Sequence, residues 1–372
     1  MRRRILYIGP GHSPLFRGRI APFLEDHDAC LVSTEPVPET FLARHPGLRY
    51  HLLPRPALRG LPRRLYLHTL DYVVEVWRLI RGFRPDLIHL HYVSQLDALT
   101  LSPVRRTPIV LTVMGADVLE DQIPRPWLLD QAVRGLFRRV AAVTAKSRFL
   151  AARCHELGAQ LSRVHLLPWG VDSAHFSPGE RGTARATLGL PAEATLLLSS
   201  RALQRLYNHE PLLDSVAALE REVRVVFTRN AEDADYARSV AVRAERLGVP
   251  AHFLPPVPYE QMPALYAAAD ACASLPASDG LPQTLLEALA CHRPAVVLDL
   301  EAYQELPFPS DSVWRVAHSA GTPHPGALAE GLGQVLRLGP RAGLEEARGW
   351  IQANAELAQS VAAMRALYAA LS

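Results

Sequence analysis

The chain has 372 residues, 49% of them hydrophobic and 21% charged, with a net charge of +3. That is long enough for two domains, and no apolar run approaches the ~20 residues of a membrane span. Residues 1–172 carry 24 Lys and Arg against 15 Asp and Glu, an excess that the rest of the chain reverses. A basic front half suits an anionic partner, such as a membrane surface or a phosphate-bearing acceptor. No basic run with interleaved aromatics points to nucleic acid.

The opening MRRRILYIGPG is too short in its apolar part for a signal peptide and is broken by Gly9 and Pro10. It reads as a first strand, 5–9, running into a glycine-rich loop. Pro14 stands where a dinucleotide fingerprint needs its third glycine, so no nicotinamide or flavin site is expected. Further strands are expected at 29–34, 49–54, 86–92, 108–115, 141–145 and 163–172, with helical spacing over 65–82 and 147–158. Cys30, Cys154, Cys272 and Cys291 show no metal-ligand spacing and read as buried free thiols of a cytoplasmic protein.

The polar, glycine-containing stretch 177–184 reads as an interdomain linker. A strand, loop and helix follow over 195–219, then a strand at 224–230, a helix at 234–248 and a strand at 251–257. Asp233 and Asp235 have the spacing of a metal-binding pair but sit where a helix begins, so capping is the better reading. Residues 270–305 form a strand (271–275), a turn-rich loop holding Ser278, Asp279, Gly280 and Pro282, a helix from about Thr284, and a strand (295–300). The backbone N–H groups of Gln283 and Thr284, at the start of that helix, would suit a phosphate. Residues 345–372 read as two amphipathic helices. Apolar strands alternating with helices make the class α/β, with doubly wound parallel sheets that bind ligands beyond the carboxyl ends of their strands.

Asp279, Gly280, Leu281, Pro282, Leu286, Glu287, Ala288, Pro294 and Val296 resemble the EGFGLPLLEALACG-P-V signature of retaining glycosyltransferases of family four (glycosyl transferases group 1). Asp replaces the first Glu of that pattern, and His292 its glycine. RPDLIHLHY, PIVLTVMGADVL and VHLLPWGVDSAHFSP resemble the family's KPDVVHAH, PVVLTVHGSDVL and VHVIPNGVDLERFRP. They place His89, His91, Gly115, Asp117, Gly170, Asp172 and Phe176. Met114 stands where that family often has a histidine, and a thioether cannot donate the same hydrogen bond. Tyr207 and Asn208 belong to a variant of the pattern associated with Ser-Asp-Gly.

The resemblance implies the GT-B fold: two Rossmann-like, doubly wound parallel-sheet domains facing a central cleft. Residues 1–177, completed by a C-terminal helix at about 350–372, would form the acceptor side, and 178–349 the nucleotide-sugar domain. Asp279 and Glu287 would be the catalytic acids, Asp279 near the donor sugar and Glu287 on the ribose hydroxyls. Arg201, Arg205, Gly280, Leu281, Gln283, Thr284 and Glu287 would bind the donor. Arg205 stands in for an absent lysine, the chain's one lysine being Lys146. Gly11, His12, Arg17, Met114, Gly115 and Asp117 would line the acceptor side, and His89 reads as scaffold.

The expected activity is retaining transfer of a sugar from a nucleoside diphosphate donor, with no cofactor and no metal, in polysaccharide or glycolipid assembly. The acceptor would be a glycan, glycolipid or other anionic molecule, and the protein cytoplasmic with peripheral contact at the inner face of the membrane. The alternatives are a catalytically inactive partner subunit with the same fold and, behind it, a sugar-nucleotide epimerase.

Overall fold

The structure, a computed structural model, describes residues 2–53, 65–119, 127–337 and 342–371. Pro54 and Ser372, each at the end of an expected element, lie outside them. The chain divides into two units, Met1–Pro168 with Ser360–Ser372, and Trp169–Gln359.

The first unit holds seven parallel strands: β1 (Arg4–Gly9), β2 (Asp28–Ser33), β3 (Arg49–Leu52), β4 (Leu87–His91), β5 (Ile109–Thr112), β6 (Ala142–Ala145) and β7 (Val164–Leu166). Their order is β3-β2-β1-β4-β5-β6-β7. The central strands are continuously buried, because helices cover both faces of such a sheet and neither face is free to be polar. The direction of winding reverses between β1 and β4, which leaves a crevice at their carboxyl ends. The helix Leu357–Ala370 supplies Tyr368 to this unit; its ring packs edge-on to Phe23 at 5.2 Å.

The second unit holds β8 (Leu196–Ser199), β9 (Arg224–Thr228), β10 (Ala251–Leu254), β11 (Ala271–Ser274), β12 (Ala295–Leu298) and β13 (Val313–Val316), ordered β10-β9-β8-β11-β12-β13. Here the switch falls between β8 and β11, and a small hairpin, His318–Ser319 with Thr322–Pro323, follows β13. Both sheets are entirely parallel in their described pairings.

The stretch 177–184 differs from its reading as a linker. Residues Arg181–Leu188 form a helix inside the second unit, with Glu180 as N-cap accepting from the Gly182 and Thr183 amides and Gly189 closing it at φ 65°. Glu is not among the preferred caps, which hides this start from a composition reading. The unit already begins before that helix. Val171 donates its N–H to Ala355 O at 2.8 Å, and the Leu357 N–H returns to Val171 O at 2.9 Å. Gly170 permits the approach, since a Cβ there would stand 1.6 Å from the Ala355 oxygen.

Asp233 caps the helix Ala234–Leu247, accepting from the Asp235 and Tyr236 amides. All four cysteines are buried and free.

The helix Gln283–Ala290 closes with Cys291 as cap, after which His292 takes φ 55°. An L-residue in this left-handed region costs roughly 1 kcal/mol relative to glycine. His292→Gly is therefore expected to raise the midpoint of thermal unfolding by a few degrees. A lowered midpoint would mean that the packing of the imidazole outweighs the strain.

Candidate active site

In the second unit, the chain leaving β8 and the chain leaving β11 flank the switch point, and each delivers one charged group. Arg201 follows β8, and its Nη2 donates to Asp279 Oδ2 at 3.0 Å. Nη1 reaches Thr284 Oγ1 at 3.3 Å, and the guanidinium lies 4.4 Å from the centre of the Tyr207 ring. Asp279, in the loop after β11, also accepts from the Tyr303 hydroxyl at 3.0 Å and the Gly280 amide at 2.7 Å. The Arg201 and Asp279 side chains are only 13% and 11% exposed, so the pair is weakly screened.

The helix Gln283–Ala290 starts beside this pair, with Thr284 in its first turn. Pro282 at its N-cap offers no side-chain acceptor, so no side-chain cap occupies the amides of Gln283 and Thr284 at the helix start. Gln283 donates from Nε2 to Gly170 O. One turn further on, Glu287 is 4% exposed and accepts from the Tyr266 hydroxyl at 2.8 Å. Burial pushes its carboxyl up to about 7, against hydrogen bonds from Tyr266 and Gln283 and the Arg201 charge, which pull it down. Gly280 and Leu281 are buried in the same loop.

Arg205 stands apart from this cluster. It is exposed, with its guanidinium 5.4 Å from the centre of the Tyr236 ring. It follows Arg201 by one helical turn's length, but the chain between them passes through an extended segment into the short 3₁₀ turn Arg205–Tyr207.

The loop that carries Arg201 is anchored by Asn208, at φ 52°, which donates from Nδ2 to Leu275 O at 2.8 Å and Gly321 O at 2.7 Å. The Ala277 amide donates to Leu206 O at 2.7 Å, and a Cβ on Gly321 would stand 2.6 Å from Ala277. Asn208, Tyr266 and Tyr303 are thus site-building residues absent from the sequence-derived site. In the sequence Asn208 figures only as part of the Ser-Asp-Gly variant, and the tolerance of asparagine for positive φ is the local signal of its role. Two tyrosines reaching in from other elements leave no local trace.

In the first unit, the expected acceptor-side residues follow the carboxyl ends of β1 and β5, and many are occupied with backbone. The Gly11 amide donates to Ser33 Oγ at 2.9 Å, and Arg17 donates to the carbonyls of Gly11 and His12. His12 Nδ1 lies 2.9 Å from Glu35, both half-exposed. Asp117 accepts from the amides of Gly115 at 2.9 Å, Met114 at 3.0 Å and Val93 at 3.1 Å, clamping the loops after β4 and β5 together. Burial raises its carboxyl and the backbone amides oppose the shift. The Met114 sulfur accepts from the buried Arg19 guanidinium.

His89 is bonded through Nδ1 to the Tyr368 hydroxyl and through Nε2 to Thr112 Oγ1 at 2.7 Å. Burial lowers it to about 3, so it is a neutral scaffold group at ordinary pH. His91, with its ring centre 3.9 Å from that of His89, is fully buried and has no hydrogen bond at either nitrogen among the described residues.

The architecture is that of a two-domain, Rossmann-like GT-B protein with its anion-suited cluster at the switch point of the second sheet. Sequence comparison divides the chain in the same way. The profile described as "Glycosyl transferase 4-like domain" matches residues 24–170, and that described as "Glycosyl transferases group 1" matches 180–340. The chain belongs to the group 1 glycosyltransferase family.

It is 29% identical over 260 residues to a D-inositol 3-phosphate glycosyltransferase of Nocardia farcinica, a match spanning 65% of this chain and 57% of that protein. The corresponding protein of Xylanimonas cellulosilytica is 30% identical over 57% of this chain and 55% of its own length. This chain therefore matches little more than half the length of these curated relatives. Sucrose-phosphate synthase from Thermosynechococcus elongatus shares the fold with a TM-score of 0.81 and 18% identity, over 100% of this chain and 99% of that one. Anabaena HepE in complex with UDP and glucose does so at 0.76 and 15%, over 99% and 100%.

Proposed function

We propose that this protein transfers a sugar from a nucleoside diphosphate donor to an acceptor with retention of configuration and without a metal ion. The observation that carries the reading is the Arg201–Asp279 pair beside the uncapped helix at Gln283 and Thr284. When the bond between the sugar's anomeric carbon and the phosphate oxygen breaks, negative charge collects on the departing diphosphate. A fixed guanidinium and helix-start amides offset that charge with little reorganisation. Arg201, Gly280, Leu281, Gln283 and Thr284 take this role, with Arg205 as a more remote cation.

Asp279 serves the donor sugar, and the hydrogen bonds from Tyr303 and Gly280 set its direction. Glu287 accepts from the ribose hydroxyls. UDP is the first nucleotide to test, since two structures of the similar Anabaena HepE are complexes with UDP. The inositol phosphate named for the relatives supports a phosphate-bearing acceptor. The basic first unit fits that acceptor or an anionic membrane surface, and no described helix is long and apolar enough to cross a membrane.

Nuclear magnetic resonance of the product formed from a UDP-sugar tests the proposal, run with and without a chelator. The expected product keeps the donor's anomeric configuration and its yield is unaffected by the chelator. Inversion, or loss of activity on chelation, would refute the mechanism.

No turnover with any donor would favour the inactive partner subunit, for which the lack of a second site lysine and the Met114 substitution speak. Tyr303→Phe removes one of the donors that fix Asp279. It is expected to cost about 1 kcal/mol of stability and to lower turnover roughly tenfold, read by chemical denaturation and by initial rates. Unchanged rates would free Asp279 from any need of Tyr303.

A further inference from the structure

The opposite edge of the second sheet carries a feature that the transfer reaction does not use. At the amino ends of β8, β11 and β12 lies a cavity of about 640 Å³, lined among others by Thr195, Arg221, Asp270, His292 and Arg293, with Arg181 at its wall. The strands separate it from the Arg201 cluster by their own length, about 13 Å for four residues. Its volume is in the range that holds small-molecule ligands, roughly 300–1,000 Å³.

The charges there do not balance. Asp270 is shared, with Oδ1 accepting from Arg181 at 2.8 Å and Oδ2 from the buried Arg185 at 2.8 Å and the Leu196 amide at 2.7 Å. Arg221 and Arg293 have only neutral oxygens. Arg221 donates to Thr195 Oγ1 at 2.6 Å and Leu336 O at 3.3 Å. Arg293 donates to Tyr266 O and Ala267 O, both at 3.0 Å, and to Gly179 O at 3.4 Å.

Among the described residues neither Arg221 nor Arg293 makes an ion pair. Glu193 is the other carboxylate of the lining, so three guanidiniums, those of Arg181, Arg221 and Arg293, line the cavity with two carboxylates. His292 adds an imidazole whose buried Nε2 makes no hydrogen bond among the described residues and lies 3.5 Å from the Glu345 carboxylate. Its backbone is left-handed, a conformation that glycine would hold more cheaply.

We infer that this cavity is a second binding site, for a phosphate-bearing small molecule. Arg221 supplies forked donors to the phosphoryl oxygens, the geometry in which guanidinium surpasses ammonium. Arg293 supplies Nη1, its Nε and Nη2 being held by carbonyls, and His292 supplies a further N–H. Arg293 also ties the cavity to the transfer site. It holds the carbonyl of Tyr266, whose hydroxyl binds Glu287.

Calorimetric titration of the full chain with inorganic pyrophosphate tests the inference, because the Arg201 site would take the same anion. Two equivalents are expected to bind. Arg201→Ala should leave one, and adding either Arg221→Gln or His292→Gly should weaken that one at least tenfold. His292→Gly is expected to relieve backbone strain, and a midpoint of thermal unfolding no lower than the parent's shows that a loss of binding in it does not come from misfolding.

If Arg201→Ala folds poorly, stoichiometry in the otherwise unaltered chain serves instead, falling from two to one with Arg221→Gln. Abolition of all binding by Arg201→Ala would overturn the second site. So would a second equivalent that survives Arg221→Gln or His292→Gly undiminished.

Discussion

Glu287→Gln is expected to make the protein more stable at pH 8 and less able to bind its nucleotide. Burial raises the Glu287 carboxyl from an ordinary 4.5 to about 7. Below pH 4.5 the group is protonated in both folded and unfolded chains and costs nothing. Between 4.5 and 7 the unfolded chain releases the proton while the folded chain keeps it, so stability falls as pH rises. The loss is complete above about pH 7 and amounts to roughly 3 kcal/mol.

Glutamine never ionises, and its carbonyl can still accept from Tyr266. Denaturant unfolding at pH 4 and pH 8 should show the variant nearly equal to the parent at the lower pH and ahead at the higher. A buried carboxyl that a fold keeps at this cost fits a ligand contact better than a packing role. The gain in stability should therefore accompany weaker nucleotide binding. Equal stability at both pH values would mean that Glu287 is better solvated than its 4% exposure implies.

Arg201→Ala should be the most damaging single change in the second unit. It leaves Asp279 11% exposed and without its cation, and removing one partner of a buried pair costs about 3–5 kcal/mol. Tyr303 and Gly280 would still donate to the carboxylate, which places the expected cost near the lower figure. Asp279→Ala in the same chain should recover part of it, with a coupling energy of about 1–3 kcal/mol in a double-mutant cycle. Part of the stability should return in the double variant and function should not, because both proposed contacts to the donor are gone. Additive effects of the two substitutions would show that the pair contributes nothing as a pair.

Most of the fold was legible because both sheets are parallel and buried. Continuous apolar runs such as 5–9, 109–112 and 295–298 announce strands whichever face they turn, and glycine, proline and polar clusters mark their ends. The edge strand Val313–Val316, with only its outer two residues buried, gave no such run and went unseen. The helix Arg181–Leu188 was hidden by its glutamate cap and by Gly182 in its first turn.

At the site, Arg201, Asp279 and Glu287 were legible as residues near the carboxyl ends of β8 and β11 in a recognisable pattern. That Arg201 and Asp279 would hold each other was not, because 78 residues separate them and sequence spacing says nothing about such a contact. Tyr266 and Tyr303 escaped for the same reason. Asp117 was placed correctly near the end of β5, but its carboxylate is bound by backbone amides of two loops. What it does in the fold is hold those two loops together.

The central claim is that the carboxyl end of the second sheet binds a nucleoside diphosphate through Arg201. Thermal unfolding of the parent chain and of Arg201→Ala with UDP, GDP, ADP and TDP tests it directly. One nucleotide, at a hundred times its dissociation constant, should stabilise the parent by about 2.7 kcal/mol and leave the variant unmoved. No shift with any nucleotide, or an equal shift in both proteins, would contradict it.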